Sequence, residues 1–395
     1  MSKKKKIGLL PRIILAILLG VACSLLFPDW LVRVFATING IFANFLSFSI
    51  PLIIIGLVAP GITKLGDGAG RLLATTALIA YLSTLFAGFL AYGTASAIFP
   101  YILGQQSSVF DSILLIESAQ YTPFFVVEMQ PIMSVMSALL ISFVLGIGLA
   151  NAKGEHFKGV LYEFNHVIEK LISTIIIPLL PLFIFGIFLI MGAQGKVVTI
   201  MSVFIKVLAL VIVMQIVVIL LQFTLAGAIA KKNPIKAIKT MLTAYVTALG
   251  TQSSAATIPI TMQQSIKNGV REEIAGFVIP LCATIHLAGS TMMITTCSMA
   301  VMILSGMPFN ISIYAGFIIM LGITMIAAPG VPGGAVVAAL GVLQSILGFD
   351  ETMQALMIAL YITMDSFGTA CNVTGDGAIA LIVNKLSKKG KTQTA

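Results

Sequence analysis

Charge is what this sequence has least of. Asp, Glu, Lys and Arg make up 9% of its 395 residues, against about 25% in a soluble domain. With 58% hydrophobic residues and a mean hydropathy of +1.08, a water-soluble fold is excluded. Histidine is scarce too: there are three, and only His286 falls in the later apolar runs. With no acid–base pair outside one polar stripe and no nucleotide fingerprint, nothing suggests an enzyme. The four cysteines, Cys23, Cys282, Cys297 and Cys371, all lie in apolar stretches. They show neither metal-ligand spacing nor a disulfide framework, and at least three read as small buried hydrophobes. The net charge of +9 does not imply nucleic acid, because the lysines cluster at the ends of apolar runs: Lys3 to Lys6, Lys231 to Lys239 and Lys385 to Lys391. Such clusters mark the cytoplasmic flanks of spanning helices.

What the chain has in quantity is apolar runs of spanning length, about 20 residues each. They fall near 8–27, 34–62, 72–100, 132–152, 170–193 and 198–230. The first has the basic start and apolar core of a signal peptide, but the many later spans favour an uncleaved first helix. After residue 230 the pattern changes. Residues 233–265 carry TQSSAATIP, 274–305 are interrupted at HLAGS, 312–347 are broken by AAPGVPGG, and 353–384 form a last long span. Non-helical backbone at membrane depth survives only inside protein or against a wet cavity. Two interrupted segments, one entering from each side, point to an inverted-repeat transporter. Charge gives the orientation. The 101–130 loop carries Asp111, Glu117 and Glu128 and no basic residue, so it is expected outside, with both termini in the cytoplasm.

The last span contains the costliest residues. Asp365, Thr369, Asn372 and Asp376 are offset by 0, 4, 7 and 11, which aligns them on one helix face over roughly 16 Å. Intramembrane acids face a cavity and mark a substrate or ion path; the structural alternative is pairing, for which His286 is the nearest candidate. Asp376 with the Asn372 region offers oxygens to a hard cation such as Na⁺. Asp365, about three turns away, suits an ammonium or a second cation. Free N–H groups at a hairpin tip or helix end suit a carboxylate, with hydroxyl donors from Ser253 and Ser254. Together these parts specify a ligand bearing both an amine and a carboxylate.

On TQSSAATIPITM, GVPGGAV and DSFGTACNVTGD, the chain resembles the dicarboxylate/amino acid:cation symporters, the glutamate-transporter homologue family. The resemblance covers nearly the whole chain and is strongest over about 240–385. It implies eight transmembrane helices plus two re-entrant hairpins, an elevator-type carrier in the cell membrane, and a homotrimer among lipid. Residues 1–230 would be mainly scaffold helices 1–6, with helices 3 and 6 contacting or joining the moving part. Residues 231–395 would be the transport core. By the same resemblance Asp365 binds the substrate amine, and Asn372, Ser254 and the backbone around Ser253 and Val331 bind its carboxylate. Gln252, Ser290, Gly333, Gly368 and Thr369 complete the substrate site. Asp376 and Asn372, with backbone at Cys282 and His286, form a Na⁺ site. Thr284 and the backbone before Pro329 form a second.

The departures narrow the expectation. Acidic-substrate members have an arginine three residues after the amine-binding Asp; here stands Gly368. Where an arginine often occupies the first hairpin tip, here stands Gln252. A second carboxylate would be buried unpaired, which is expensive, so the expected substrate is a small neutral amino acid such as serine, threonine or alanine. The glycine also leaves space for a larger neutral side chain. The run Asn-Met-Asp-Gly-Thr is here His286-Leu287-Ala288-Gly289-Ser290. Without its Asp, a third cation site at Ser83 and Thr84 is weakened, so fewer Na⁺ are expected. His286 leaves two options open: H⁺ coupling or simple packing. A dicarboxylate carrier and a substrate-gated channel are the competing readings.

Overall fold

The computed structural model of the chain describes residues 9–66, 70–103, 121–151, 155–195, 197–326, 328 and 332–387. These form helices only, as a bilayer requires of a chain that builds no closed barrel. The first six runs become α1 (Leu9–Ser24), α2 (Asp29–Gly66), α3 (Gly70–Leu103), α4 (Val135–Asn151), α5 (Glu155–Leu171) with α6 (Ile177–Ala193), and α7 (Val197–Ala230). The charged 153–170 connection is not a simple link between spans. From Glu155 it is an amphipathic helix that buries Leu161 and Ile168. A π turn, Ile172–Ile176, joins it to α6. Pro178 and Pro181 stand just beyond; a proline withholds an N–H and crowds the preceding turn, a common cause of such an irregular turn.

Beyond residue 230 every apolar run except the last is divided. Asn233 caps α8 (Pro234–Thr251) by accepting the Lys236 N–H. A turn through Gln252, in the left-handed region at φ 53°, leads to α9 (Ser254–Lys267). The next run splits into α10 (Glu272–Ile285) and α11 (Ala288–Leu304), with His286 extended between them. α12 (Ile311–Ile326) and α13 (Gly334–Leu347) flank the AAPGVPGG segment. α14 (Glu351–Leu386) is unbroken, capped by Asp350, whose side chain accepts the Met353 N–H at 2.8 Å.

By length and composition six of the described segments can cross a membrane: Asp29–Thr63, Leu72–Leu103, Glu155–Ala193, Met201–Ala230, Glu272–Leu304 and Glu351–Leu386. Their environments differ. On α3 the residues Leu78, Leu82, Phe86 and Phe89 form an exposed stripe at helical spacing, a face for lipid. The least apolar of the six, α14, is the most enclosed, with 89% of its spanning window buried. α7, α8, α9, α10 and α11 all pack against it, and α3 packs on α11. A polar helix is thus placed where only protein can touch it.

Candidate functional site

Burial of α14 puts the whole stripe inside. Asp365, Thr369, Asn372 and Asp376 are 6%, 7%, 3% and 1% exposed. Such groups must find partners, and those partners draw four other elements to the same place.

Asn372 holds the break between α10 and α11. Its Oδ1 accepts the Gly289 N–H at 2.8 Å and the Ser290 N–H at 3.3 Å, and its Nδ2 donates to Ser290 Oγ at 3.0 Å. The first free amides of α11 would otherwise lack acceptors, so a side chain from α14 acts as the cap. The close approach depends on Gly289, where a Cβ would lie 2.7 Å from the Gly368 carbonyl oxygen and 2.7 Å from Cys371 Cβ.

Asp376 meets an imidazole. His286 Nδ1 lies 2.9 Å from its Oδ1, and the two side chains are 0% and 1% exposed. His286 Nε2 lies 3.0 Å from Ser83 Oγ on α3, and Gln222 Nε2 on α7 donates to the same hydroxyl at 2.9 Å. A Cβ at Gly375 would sit 2.7 Å from both His286 Cε1 and Gln222 Oε1, so this glycine makes the room for the ring. The sequence suggested a Na⁺ site from Asp376, Asn372 and the backbone of Cys282 and His286. Here the His286 side chain, not only its backbone, occupies the carboxylate. The Cys282 carbonyl accepts the His286 N–H at 2.8 Å, and Asn372 Oδ1 is engaged as described. A cation there would meet a carboxylate whose Oδ1 is already engaged by the ring. Of the weakened third pair, Ser83 is tied to His286 and Gln222, while the Thr84 hydroxyl is buried without a partner among the described residues.

At the other end of the stripe, Asp365 Oδ2 accepts the Gly333 N–H at 2.8 Å. Gly333, at φ 76°, caps α13, so the start of that helix is fastened to this carboxylate. The Tyr361 hydroxyl, one turn before Asp365, is buried beside Asp365 and Ser290, outside good hydrogen-bonding geometry. It is a donor in reserve. Gly368 faces Met293: a Cβ there would lie 2.5 Å from Met293 Sδ. The space expected beside Gly368 is therefore filled.

The remaining expected residues make local bonds or turns of their own. Ser253 caps α9 by accepting the Ala256 N–H, and Ser254 is half-buried at the first position of that helix. Gln252 supplies the left-handed turn before them. Thr284 lies on the exposed side of α10, with its hydroxyl donated back to the Leu281 carbonyl at 2.7 Å. Val331 and Pro329 lie outside the described residues. Four contributors were not anticipated: Gln222, Met293, Tyr361 and Gly375. Gln222 had a signal, since it and Gln215, seven residues apart in α7, are polar breaks on one face of an apolar run. Tyr361 stands at i−4 from Asp365. Met293 had none, because methionine is ordinary core material.

Helices long enough to span, a lipid-facing stripe and a polar seam around one enclosed helix define a multi-pass membrane transporter. The chain belongs to the Sodium:dicarboxylate symporter family, which matches residues 9–386. It is therefore a transporter and not an enzyme. A serine/threonine transporter SstT of Acinetobacter baumannii (strain AYE) is 26% identical over 97% of this chain and 98% of its own. Another, of Streptococcus suis (strain 05ZYH33), is 28% identical over 84% and 93%. An excitatory amino acid transporter of Caenorhabditis elegans is 27% identical over 65% of this chain and 52% of its own.

Proposed function

We propose that the protein is a secondary active symporter that imports a small neutral amino acid, serine, threonine or alanine, coupled to Na⁺. The observation that carries this reading is the stripe on α14: two buried carboxylates about three turns apart, with Gly368 and no guanidinium between them. Asp365 would hold the substrate amine, and Ser290, Asn372 and the hairpin tips around Ser253, Ser254 and Val331 its carboxylate. The relatives named as serine/threonine transporters agree with a neutral substrate. The proposed architecture has eight spans and two re-entrant hairpins, α8–α9 and α12–α13. Residues 1–230 are mainly scaffold, the rest carries substrate elevator-fashion, both termini are cytoplasmic, and the assembly is a homotrimer in the cell membrane.

Purified protein in liposomes should accumulate serine, threonine or alanine far better than glutamate or aspartate under an inward Na⁺ gradient. Preferred uptake of glutamate would refute the neutral reading and favour the acidic or dicarboxylate one. Flux that saturates but never accumulates against a gradient would favour a channel. Proton coupling is a second reading with one observation in its favour: an imidazole stands against Asp376 where a cation was expected. Replacing external Na⁺ by choline at clamped pH separates the two. Under Na⁺ coupling, uptake stops; under proton coupling it continues and follows the pH gradient.

A further inference from the structure

Met293 is the one residue at the stripe whose presence no polar chemistry explains. It lies on α11 one turn beyond Ser290, is fully buried, and its thioether stands where a side chain at 368 would begin. The same absent Cβ is 3.5 Å from Met293 Cε and 3.7 Å from Ser290 Oγ. Gly368, Ser290 and Met293 therefore meet at one point, one turn along α14 from Asp365. An amine held at Asp365 and a carboxylate held near Ser290 and Asn372 would set a substrate's α-carbon beside that point. Its side chain would have to pass over Gly368, the only residue on this part of the helix face that offers no side chain of its own. What it meets there is the thioether.

We propose that Met293 is the specificity-determining residue that limits the length of the substrate's side chain. The inference rests on the reading of Asp365 as the amine's partner. With the thioether already against Gly368, a short side chain asks it to shift a little; a longer one requires it to leave. Methionine is unbranched and adaptable, so the limit is graded: alanine, serine and threonine are accommodated before leucine or phenylalanine. The thioether also contributes to rejection of acidic substrates. A second carboxylate would be pressed against a weakly polar sulfur that donates no hydrogen bond, and such an unpaired buried charge is strongly disfavoured. Discrimination then has a repulsive part as well as the missing arginine. The glycine and the methionine act as one unit, since a larger residue at 368 and a thioether at 293 compete for the same volume.

The test is a thermal-shift and competition-binding panel at fixed Na⁺. The probes are alanine, serine, threonine, methionine, leucine and phenylalanine, and the proteins are the full-length wild type, Met293→Ala and Met293→Phe. One methylene in an apolar pocket is worth about 10- to 200-fold in discrimination. Met293→Ala should therefore raise leucine and methionine binding relative to serine at least tenfold. Met293→Phe should weaken threonine more than alanine. If Met293→Ala proves too unstable to assay, the ranking of threonine against alanine in Met293→Phe decides. Gly368→Ala should weaken binding of every amino acid, and adding Met293→Ala should relieve that loss. A wild type that binds neutral amino acids, with an unmoved ranking in the assayable Met293 variants, overturns the role of Met293 alone. A wild type that binds none of them overturns this inference together with the functional reading beneath it.

Discussion

Replacing His286 by alanine should be the most damaging single truncation at the stripe. The imidazole is the described side chain in contact with Asp376 Oδ1, at 2.9 Å, in a site where the carboxylate is 1% exposed. Removing the imidazole strips the buried carboxyl of its described partner, and breaking a buried pair of this kind costs about 3–5 kcal/mol. Ser83 keeps its bond from Gln222 at 2.9 Å, so the loss is concentrated on Asp376. At roughly 2 °C per kcal/mol for a chain of this size, Tm in choline chloride should fall by about 6–10 °C. The vacated ring leaves a cavity beside a carboxylate, so NaCl should restore part of that loss in the variant. A site filled to 100 times its Kd would return about 2.7 kcal/mol. The double variant His286→Ala/Asp376→Ala should be less destabilised than His286→Ala, because the stranded polar group is gone. The assay is detergent thermal unfolding of the wild type, His286→Ala and the double variant in NaCl and in choline chloride. A His286→Ala variant as stable in choline as the wild type would refute the claim that the imidazole is the stabilising partner of Asp376. Equal Tm values in the two salts would refute the cavity's affinity for Na⁺.

Two further outcomes follow from the same geometry. Asp365→Asn should abolish amino acid binding while leaving stabilisation by Na⁺ largely intact, read as thermal shifts with each ligand; normal serine binding would show that the amine is held elsewhere. Gly375→Ala should destabilise by about 1–3 kcal/mol through overpacking, since its methyl would press on His286 and Gln222. Gly276→Ala on α10, where nothing lies within 4 Å of the new methyl, is the control and should be neutral or stabilising by about 0.4–1 kcal/mol. Equal unfolding midpoints for the two glycine variants would contradict the packing described for Gly375.

The sequence made two kinds of feature legible and hid a third. Helix breaks were readable because the polar or Gly/Pro punctuation that causes them is local: HLAGS opens at His286, and TQSS carries the turn at Gln252. The face of α14 was readable because helical spacing alone aligns Asp365, Thr369, Asn372 and Asp376. What that face touches was not readable, because the partners come from helices far away in the chain. Asp376 finds Ser83 and Gln222 only through His286, and the thioether of Met293 reaches Gly368 from another element. The amphipathic helix from Glu155 was not readable for a different reason. Its balanced charges hid an amphipathic pattern in which Leu161 and Ile168 turn inward. The spacing of oxygens says nothing about which neighbour fills the gap between them, so it leaves cation binding and pairing of Asp376 with His286 both open.

The junction of Ser83, His286 and Gln222 also bears on where the chain divides mechanically. Ser83 and Gln222 belong to α3 and α7, early helices on the far side of any boundary drawn at residue 230. Yet their polar side chains meet on an imidazole that belongs to the later half. Any displacement of α14 that left α3 and α7 behind would strand a carboxylate, a hydroxyl and an amide inside the protein at once. On the proposed elevator reading the inexpensive path is for those two helices to travel with it, which would put the line of slip outside them. Order along the sequence is then a poor guide to which parts would move together; three hydrogen bonds around one buried imidazole are a better one.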